Sequence, residues 1–502
     1  MRLPLRHWCT TTLLATAVLA ACGGDDTPTQ AEASDVVAGG PEAGATPFIA
    51  RVKLTGTSVR NLASVEYAIA PKAGTVSKAV DVTYTAEAAA RRGYLSTTDG
   101  SMTIPVFGLY ANHANTVTLR LTYKDGSSGT LAVPVTTTAY TSTYGAPEIL
   151  VKRAAGSTLG FDYFAIKSGL GTPVVVDTDG EVRWAGTGIT SSVTSLYKDN
   201  GFVIGRQQST QMSRLEFDNT MTTVTVNSPT YTAFHHNLDP GKTGVLAEFD
   251  GIVDGLASVE SIAAEVTLAG AVTREWDFAK ILGDYMRSQG DDPSTFIRPG
   301  VDWFHMNATV YDPRDDTLIA SSRENFVIKV DYQTGEIRWI LGDPTKHWYT
   351  FPSLRAKALT LEAGGLYPIG QHALSIRADG LLMLFNNGLA SANQPATAPV
   401  GENRTYSAVS AYAIDAVNRT AKESWRFDHG QTLLSDVCSS AYEAKGQSVL
   451  ISYATTDRRT TARLIGIDAQ RNVVFDFRYP SPVSCQTSWN AVPVPFDAMR
   501  FE

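Results

Sequence analysis

The sequence predicts an all-β protein, a six-bladed β-propeller preceded by a small N-terminal β-sandwich. Two observations predict it. Short runs of Thr, Val, Ile and Tyr alternate with polar residues and are bounded by Gly, Asp and Asn turns, as is typical of strands. From about residue 150 an apolar strand, an Asp-centred turn and a strand ending in an aromatic residue recur. A strand-only repeat of roughly 40 to 80 residues is typical of a propeller with inserted loops.

The N-terminus has the features of an export signal. Arg2 and Arg6 are followed by an apolar segment at 13–21 that is too short to span a bilayer. Small residues then precede Cys22, a pattern typical of a bacterial lipoprotein signal peptide at residues 1–21 with Cys22 as the acylated residue. An ordinary signal peptide cleaved nearby is the alternative. We expect an exported lipoprotein, anchored to the membrane by its lipid on the periplasmic face of the outer membrane or on the cell surface.

Residues 22–45 contain Gly, Asp, Thr, Pro, Ala and Ser and almost no large apolar side chains, so we expect a flexible tether. The chain has four cysteines. Cys9 leaves with the signal and Cys22 takes the lipid, so Cys438 and Cys485 remain for one disulfide in an exported protein. Two buried free thiols are the alternative.

Charge and length limit the function classes. The formal net charge is −8, and no Lys/Arg run is present that would neutralise phosphates, so nucleic acid is not expected as a partner. Roughly 450 mature residues are more than one small core needs, which favours two domains.

The first domain is expected at residues 46–148. Regular spacing and hairpin-type turns such as Lys124-Asp125-Gly126 predict an antiparallel sandwich. The six predicted strands are 48–54, 64–70, 79–85, 101–106, 115–123 and 129–136.

Residues 149–502 are expected to form the propeller. The Asp-centred hairpin occurs six times, at 174–184, 215–218, 264–276, 328–339, 413–425 and 465–475. The aromatic residue that ends most copies would pack between sheets. Six copies predict six blades, with seven as the alternative. The segments 258–265 and 277–288 are the most helix-like of the chain.

Three short segments place a histidine at the start of a strand-like run, at 234–237, 302–307 and 370–373, and they hold four of the eight histidines. Arg323 follows another apolar strand, between the second and third segments. Because equivalent positions on different blades face the central channel, we expect these side chains to converge. Imidazoles, a carboxamide and a guanidinium suit a pocket for a tetrahedral oxyanion, with one imidazole free to attack it. This combination favours group transfer over passive binding.

Several of these segments together resemble one family, the bacterial arylsulfate sulfotransferases, which do not use the nucleotide donor PAPS. The resemblance covers nearly the whole mature chain and implies an N-terminal sandwich and a six-bladed propeller. The motifs that carry it are Asp-Trp-Phe-His-Met-Asn at 302–307, Ser-Ser-Arg at 321–323, Glu-Ile-Arg-Trp-Ile-Leu-Gly-Asp-Pro at 336–344, Gln-His at 371–372 and Ile-Pro-Val-Phe-Gly-Leu-Tyr at 104–110.

The resemblance implies that His372 is the nucleophile, which carries the sulfuryl group as sulfohistidine in a ping-pong cycle. The partners it implies are an aryl sulfate donor and a phenolic acceptor, and it requires no cofactor, nucleotide or metal. It also implies that His305, Asn307 and Arg323 bind the sulfuryl oxygens. A further histidine from the preceding blade binds as well. It is either His235 or His236, and His236 is favoured.

Two other function classes remain open. A metal-dependent propeller hydrolase or lyase would use three histidines around a divalent cation, although Arg323 in the same site would repel that cation. A non-catalytic exported propeller would hold an anion or a partner in the pocket. The balance between sulfotransferase and sulfatase, the natural donor and acceptor, and a homodimer as against a monomer are also open.

Overall fold

The computed structural model describes residues 35–502. The prediction of an all-β chain with a sandwich and a propeller is confirmed. The predicted signal peptide at 1–21, the lipidation site Cys22 and residues 22–34 of the predicted tether lie outside the described residues. Within residues 35–502, none of the helices is both long and apolar enough to cross a membrane.

Two sheets form the N-terminal sandwich, and the six strands predicted for it match β3 to β8 to within two residues. In β4 the side chains of Val65, Tyr67 and Ile69 alternate with more exposed ones, because only one face of the sheet packs on the core. The strands are β1 (Val37–Ala38), β2 (Glu42–Ala43), β3 (Ile49–Thr55), β4 (Leu62–Ile69), β5 (Val80–Thr85), β6 (Met102–Phe107), β7 (Ala114–Tyr123) and β8 (Ser128–Thr136).

The rest of the chain is mostly propeller. Its strands begin with β9 (Glu148–Val151), β10 (Tyr163–Lys167), β11 (Val174–Asp177), β12 (Val182–Ala185), β13 (Ser195–Tyr197), β14 (Gly201–Gly205), β15 (Gln211–Glu216), β16 (Met221–Thr225), β17 (Tyr231–Pro240), β18 (Val245–Val253), β19 (Leu256–Val266), β20 (Val272–Asp277), β21 (Met306–Asp312), β22 (Thr317–Ser322), β23 (Val327–Asp331) and β24 (Ile337–Leu341). They continue with β25 (Thr360–Leu361), β26 (His372–Ile376), β27 (Leu382–Asn386), β28 (Ala408–Asp415), β29 (Thr420–Phe427), β30 (Ser440–Glu443), β31 (Val449–Thr456), β32 (Thr461–Ile467), β33 (Val473–Pro480), β34 (Asn490–Pro493) and β35 (Met499–Phe501).

These strands form six sheets in the described part of the chain, antiparallel except for the parallel pairing of β25 with β29. Sheet 1 is β34-β10-β11-β12, and sheets 2, 3 and 4 are β13–β16, β17–β20 and β21–β24. Sheet 5 is β26–β29 with β25 at its edge, and sheet 6 is β30–β33 with β9 at its edge. Contacts between the first strands link sheet 2 to 3, 3 to 4, 4 to 5, 5 to 6, and 6 to 1. Each of the six predicted hairpin copies joins the third and fourth strands of one sheet.

The α-helices are α1 (Ala86–Arg91), α2 (Phe278–Ser288) and α3 (Pro352–Arg355), and short 3₁₀ turns lie at Thr57–Asn61, His347–Thr350, His429–Gln431 and Lys445–Gln447. The helix predicted at 277–288 is confirmed as α2, whose first amides donate to the Asp277 carboxylate. The helical prediction for 258–265 is wrong, because these residues lie in β19. That strand is buried on both faces between β18 and β20, so the alternation that marks a strand is lost.

The predicted tether at 22–45 is wrong for its described part. β1 and β2 both pair with β3, and Val36 is buried, so the folded body includes residues from Asp35 onward. Backbone hydrogen bonds hold these short strands, and backbone pairing needs none of the large apolar side chains whose absence suggested a tether.

The strand pairing departs from the predicted propeller range of 149–502 in two places. β9 begins at Glu148, one residue before that range, and pairs with β33 of the propeller. β35 returns to the sandwich and pairs in parallel with β5. There the Phe501 ring stacks on Tyr84, with 4.5 Å between ring centroids.

The sandwich and the propeller share a buried interface at sheet 1. The guanidinium of Arg183 donates to the Gly108 carbonyl oxygen at 2.7 and 3.1 Å and to the Asp177 carboxylate at 3.1 Å. Its Cζ lies 3.5 Å from the centroid of the Tyr110 ring. Gly108 and Tyr110 belong to the sandwich motif that the sequence singled out, so this motif is part of the interface.

Candidate active site

Three successive inner strands, β17, β21 and β26, carry a β-bulge at their predicted histidine. The register shifts after His235 in β17, after Met306 in β21 and after His372 in β26. The backbone is left-handed at His236 (φ 34°), His305 (φ 52°) and Ala373 (φ 54°). A bulge re-aims the side chain next to it, and strained backbone of this kind is often found at functional sites. Here the bulges turn imidazoles from three sheets toward one another.

His236, His305 and His372 meet around Trp489. The ring centroids of His236 and His305 are 4.7 Å apart, and the Trp489 ring lies 5.1 Å from His236 and 6.3 Å from His372. Trp489 precedes β34, in the segment after residue 479 where no motif is recognisable. The sequence therefore placed the three histidines together and missed the indole between them.

His372 is held at one ring nitrogen. Its Nδ1 lies 2.8 Å from Asn387 Oδ1 and 3.0 Å from the Gly370 carbonyl oxygen. Burial, opposed by the hydrogen bond to Asn387 and reinforced by the positive charge of Arg323, lowers the pKa of His372 to about 3. The imidazole is therefore neutral at pH 7, with Nδ1 engaged.

Two carboxyl groups contact Nδ1 of His305. One is Asp302, three residues earlier in the predicted motif, and the other is Glu260, whose Oε2 lies 3.0 Å away. Burial raises the pKa of Glu260 to about 8, so the group is largely protonated at pH 7. Glu260 lies inside β19 with no motif around it, and the sequence contained no signal for its role.

The two adjacent histidines of β17 have different surroundings. His235 Nε2 lies 2.5 Å from Glu260 Oε1, and its ring centroid is 6.4 Å from that of His305. His236 is buried, and burial followed by its neighbours His235, His305, His372 and Arg323 lowers its pKa. Both rings contact Glu260, but the His236 ring is the closer of the two to His305, so His236 lies nearer to the other predicted site residues.

Arg323 follows β22 and is buried beside the imidazoles. Its Nη1 pairs with the adjacent carboxylate of Glu324, and its main-chain N–H donates to the His305 carbonyl oxygen at 3.0 Å. The other Glu324 oxygen accepts from the main-chain N–H groups of Ala392 and Asn393, both at 2.8 Å. A loop of sheet 5 is therefore tied to the same carboxylate that orients Arg323.

Asn307 connects the second and third histidine segments. Its Nδ2 donates to the carbonyl oxygen of Gln371 at 2.8 Å, next to His372. The Gln371 side chain in turn donates to the Ser322 carbonyl oxygen at 2.8 Å. A carboxamide has two N–H groups, so Asn307 retains donor capacity beyond this contact.

The predicted disulfide between Cys438 and Cys485 is present, with the two Cα atoms 6.2 Å apart. It joins the segments that precede β30 and β34. The Cys438 carbonyl oxygen accepts from Asn387 Nδ2 at 2.9 Å, so the disulfide loop lies one residue away from the contact to His372.

Among residues 35–502, two side-chain groups have the composition of a metal site. They are His235, His236 and Glu248, and His236, Glu260 and His305, each with its candidate ligand atoms within 4.8 Å of one another. Imidazole and carboxylate ligands of this kind suit Zn²⁺ and related cations. Arg323, whose positive charge lowers the pKa of Glu260, disfavours a cation at the second group.

Comparison with known proteins follows the same division of the chain. The family model described as "Arylsulfotransferase (ASST)" matches residues 151–490, and the model described as "Arylsulfotransferase Ig-like domain" matches residues 48–142. The arylsulfate sulfotransferase AssT of Escherichia coli O6:H1 (strain CFT073) is 28% identical over 191 residues, which cover 34% of this chain and 31% of that protein. AssT of Lelliottia amnigena is 25% identical over 170 residues, which cover 30% of this chain and 27% of that protein.

The alignments therefore span less than a third of the length of these curated relatives. Among solved structures, the β-propeller domain of Cps50 (Swd1) from Myceliophteria thermophila matches with a TM-score of 0.37 and 12% identity, over 67% of this chain and 87% of that chain. So low a score supports no further comparison.

Proposed function

We propose that this chain, which belongs to the arylsulfotransferase family, transfers a sulfuryl group from an aryl sulfate donor to a phenolic acceptor. The observation that carries the proposal is the state of His372. It is a buried, neutral imidazole with Nδ1 engaged, and it lies beside the cation of Arg323. A nucleophile next to a fixed positive charge is what attack on a sulfate monoester requires.

In the first half-reaction, Nε2 of His372 attacks the sulfur atom of the donor. The nitrogen–sulfur bond forms as the bond from sulfur to the aryl oxygen breaks, the imidazolium of His305 gives its proton to that oxygen, and the phenol leaves. Negative charge spreads over three equatorial oxygens, as in phosphoryl transfer. We assign the donors to these oxygens as Arg323, Asn307, His305 and His236. By analogy with oxyanion holes, each is worth roughly 3 kcal/mol of barrier.

In the second half-reaction, the acceptor phenol loses its proton and its oxygen attacks the same sulfur atom. The nitrogen–sulfur bond breaks and neutral His372 is restored, which makes the cycle ping-pong. We assign the proton to His305, because a carboxylate and a second carboxyl group contact its Nδ1 and stabilise the imidazolium. His305 thereby regains the proton that it gave to the leaving phenol in the first half-reaction, so the cycle balances with no nucleotide.

The test uses 4-nitrophenyl sulfate with and without phenol, for the wild type and His372→Asn. We expect continued nitrophenol release, beyond one equivalent per protein, that depends on phenol and is lost in the variant. Continued release that does not depend on phenol would identify a sulfatase, and no release with a range of phenols would favour a non-catalytic propeller that binds an anion or a partner. Full activity of His372→Asn would overturn the role of this residue.

The second candidate is a metal-dependent propeller hydrolase or lyase, which the grouping of His236, Glu260 and His305 favours. Arg323 favours an anion at the same place. Metal analysis of the purified protein and activity after chelation separate the two. Stoichiometric metal together with loss of activity after chelation would support the hydrolase or lyase.

We also propose that Cys22 carries a lipid, which anchors the protein to the outer membrane or the cell surface. The proposal rests on the small residues before this cysteine and on the basic and apolar segments that precede them. Labelling with radioactive palmitate tests it. Cys22→Ser is expected to lose the label and to leave the membrane fraction, and retention of both would contradict the proposal.

A further inference from the structure

We infer that Asn387 is a positioning residue that holds the Nδ1–H tautomer of His372, so that the sulfuryl group is accepted at Nε2. This inference rests on the proposed function and adds a residue to it. Asn387 follows β27 of sheet 5 directly, is fully buried and belongs to none of the motifs seen in the sequence.

The orientation of the Asn387 carboxamide follows from its neighbours. Nδ2 lies 2.7 Å from the carbonyl oxygen of Ser435 and 2.9 Å from that of Cys438. Carbonyl oxygens only accept, so both N–H groups of the amide are directed at them. A flipped amide would place Oδ1 against two other oxygens and lose both hydrogen bonds. Oδ1 therefore faces Nδ1 of His372, at 2.8 Å.

An oxygen that only accepts determines where the imidazole proton lies. Nδ1 has a second neighbour, the Gly370 carbonyl oxygen at 3.0 Å, which also only accepts. The proton of a neutral imidazole therefore lies on Nδ1, and the lone pair lies on Nε2. The opposite tautomer would direct the Nδ1 lone pair at two oxygens and leave a hydrogen on the nitrogen that must attack.

The support for this contact comes from the neighbouring sheet. Ser435 and Cys438 lie between β29 and β30, on the way to sheet 6. Asn387 is also held through its main chain, since the Ser407 hydroxyl donates to its carbonyl oxygen at 2.9 Å. A residue fixed at both ends in a buried site loses little further freedom when it orients the imidazole, which is the arrangement expected of a positioning residue.

The test compares Asn387→Leu, which is similar in size and accepts no hydrogen bond, with Asn115→Leu. Asn115 is a buried asparagine of the sandwich whose Nδ2 also donates to carbonyl oxygens, at 3.0 to 3.3 Å. It therefore controls for the general cost of removing a buried amide. The readouts are the rate of the nitrophenol burst from 4-nitrophenyl sulfate without an acceptor, and the tautomer of His372 from ¹⁵N-histidine NMR of the full chain.

We expect Asn387→Leu to slow the burst by about 10- to 100-fold, because hydrogen bonds in a buried site are lost. The Nδ1–H signature of His372 should weaken in the same variant. The burst rate of Asn115→Leu should lie within about threefold of the wild-type rate, as expected for a distant, independent site.

Asn387→Asp is a second variant that keeps an oxygen on Nδ1. It should retain the tautomer and a burst within about tenfold of the wild type, and it decides the question if Asn387→Leu does not fold. In that case a lost burst or an Nε2–H signature in Asn387→Asp would overturn the inference.

Each other outcome has one meaning. A wild type that shows no burst with any aryl sulfate contradicts the proposed function itself. If the wild type shows a burst and Asn387→Leu has the same burst rate and the same His372 tautomer, the inference is overturned and the proposed function is not. A slowed burst with an unchanged tautomer also overturns it, since the residue would then be merely structural.

Discussion

Arg323 and Glu324, neighbours in the sequence, form a buried ion pair beside the histidine cluster. In the proposed cycle, removing the arginine would remove a donor to the sulfuryl oxygens, and it would also leave the buried Glu324 carboxylate without its cation. The first effect acts on catalysis and the second on stability. The Glu324 carboxylate also accepts hydrogen bonds from the main chain of Ala392 and Asn393, so a change at Arg323 can also displace this loop beside the site.

For Arg323→Gln we expect kcat/KM for 4-nitrophenyl sulfate to fall about 100-fold. The matched control is Arg377→Gln, another buried arginine, whose Nη2 lies 3.0 Å from Glu443. Breaking either buried pair should cost about 3 kcal/mol of stability. Steady-state kinetics and thermal unfolding measure the two quantities, and an equal loss of activity in both variants would contradict a specific role for Arg323.

The adjacent histidines of β17 should respond unequally to mutation. His236→Asn should reduce transfer about 100-fold, because its ring contacts His305 and Trp489. His235→Asn should reduce it less than about tenfold, because the ring centroid of His235 lies 6.4 Å from that of His305, against 4.7 Å for His236. The two variants are each other's control. The reverse order of activities would exchange the assignments.

Asp302→Asn tests proton transfer by His305. An asparagine oxygen still accepts from Nδ1, so the ring keeps its orientation, but the imidazolium loses a stabilising charge. We expect the loss to be about tenfold or more for donors with weakly acidic phenols as leaving groups, and small for 4-nitrophenyl sulfate. A series of substituted phenyl sulfates measures this dependence. A loss that is the same for every donor would mean that Asp302 only orients the ring.

His372 should make the protein less stable in acid. Burial holds its pKa at about 3 in the folded state, against 6.5 for an ordinary histidine. The unfolded chain therefore takes up the proton first, so this contribution to stability is complete above pH 6.5 and is lost progressively as the pH falls toward 3. In His372→Asn this contribution is absent, so the slope of the free energy of unfolding against pH should be smaller by up to about 1.4 kcal/mol per pH unit in this range.

The measurement is denaturant unfolding of both proteins between pH 4 and pH 7. If the free energy of unfolding depends on pH with the same slope in both proteins, the imidazole is protonated in the folded state as well. The comparison is made between variant and wild type because other buried groups act in the opposite direction. Burial raises the pKa of Glu260 to about 8, for example, which favours the folded state at low pH.

Arg183 should couple the unfolding of the sandwich to that of the propeller. Its guanidinium joins the Gly108 carbonyl oxygen of one domain to the Asp177 carboxylate of the other, and Arg183→Met leaves both without this donor. We expect a loss of about 3 to 5 kcal/mol and the separation of one thermal transition into two. Calorimetry tests this, and a single, unshifted transition would contradict it.

Much of the fold could be predicted from local patterns. The sandwich strands β3, β4 and β7 alternate because each has one buried face. The six outer hairpins repeat because each joins the third and fourth strands of its sheet. β19 could not be recognised, because burial on both faces removes alternation. β1, β2 and β35 are held by backbone pairing, which leaves little mark on side-chain composition.

The site was predictable where a motif marked it and nowhere else. The histidine segments and Arg323 stand at the ends of recognisable strands, so their convergence followed from the repeat. Glu260 is one of 50 acidic residues and lies within a strand, Trp489 comes from a loop before sheet 1, and Asn387 follows β27 at a position that no motif marks. Folding brings these residues to a common place: Glu260 contacts histidines of two sheets, and Trp489 contacts histidine rings more than a hundred positions earlier in the chain.

The parallel pairing of β35 with β5 has a consequence for the order of assembly. The domain that a ribosome makes first is completed last, because one of its sheets must wait for residues 499–501. Until then β5 has an open edge, which is available to the wrong partner. β9 likewise can pair only after β33 has been synthesised, so two strand pairings join early and late segments of the chain. Removal of residues 499–501 should therefore slow folding and promote aggregation of nascent chains, even where the site in the folded protein is unchanged.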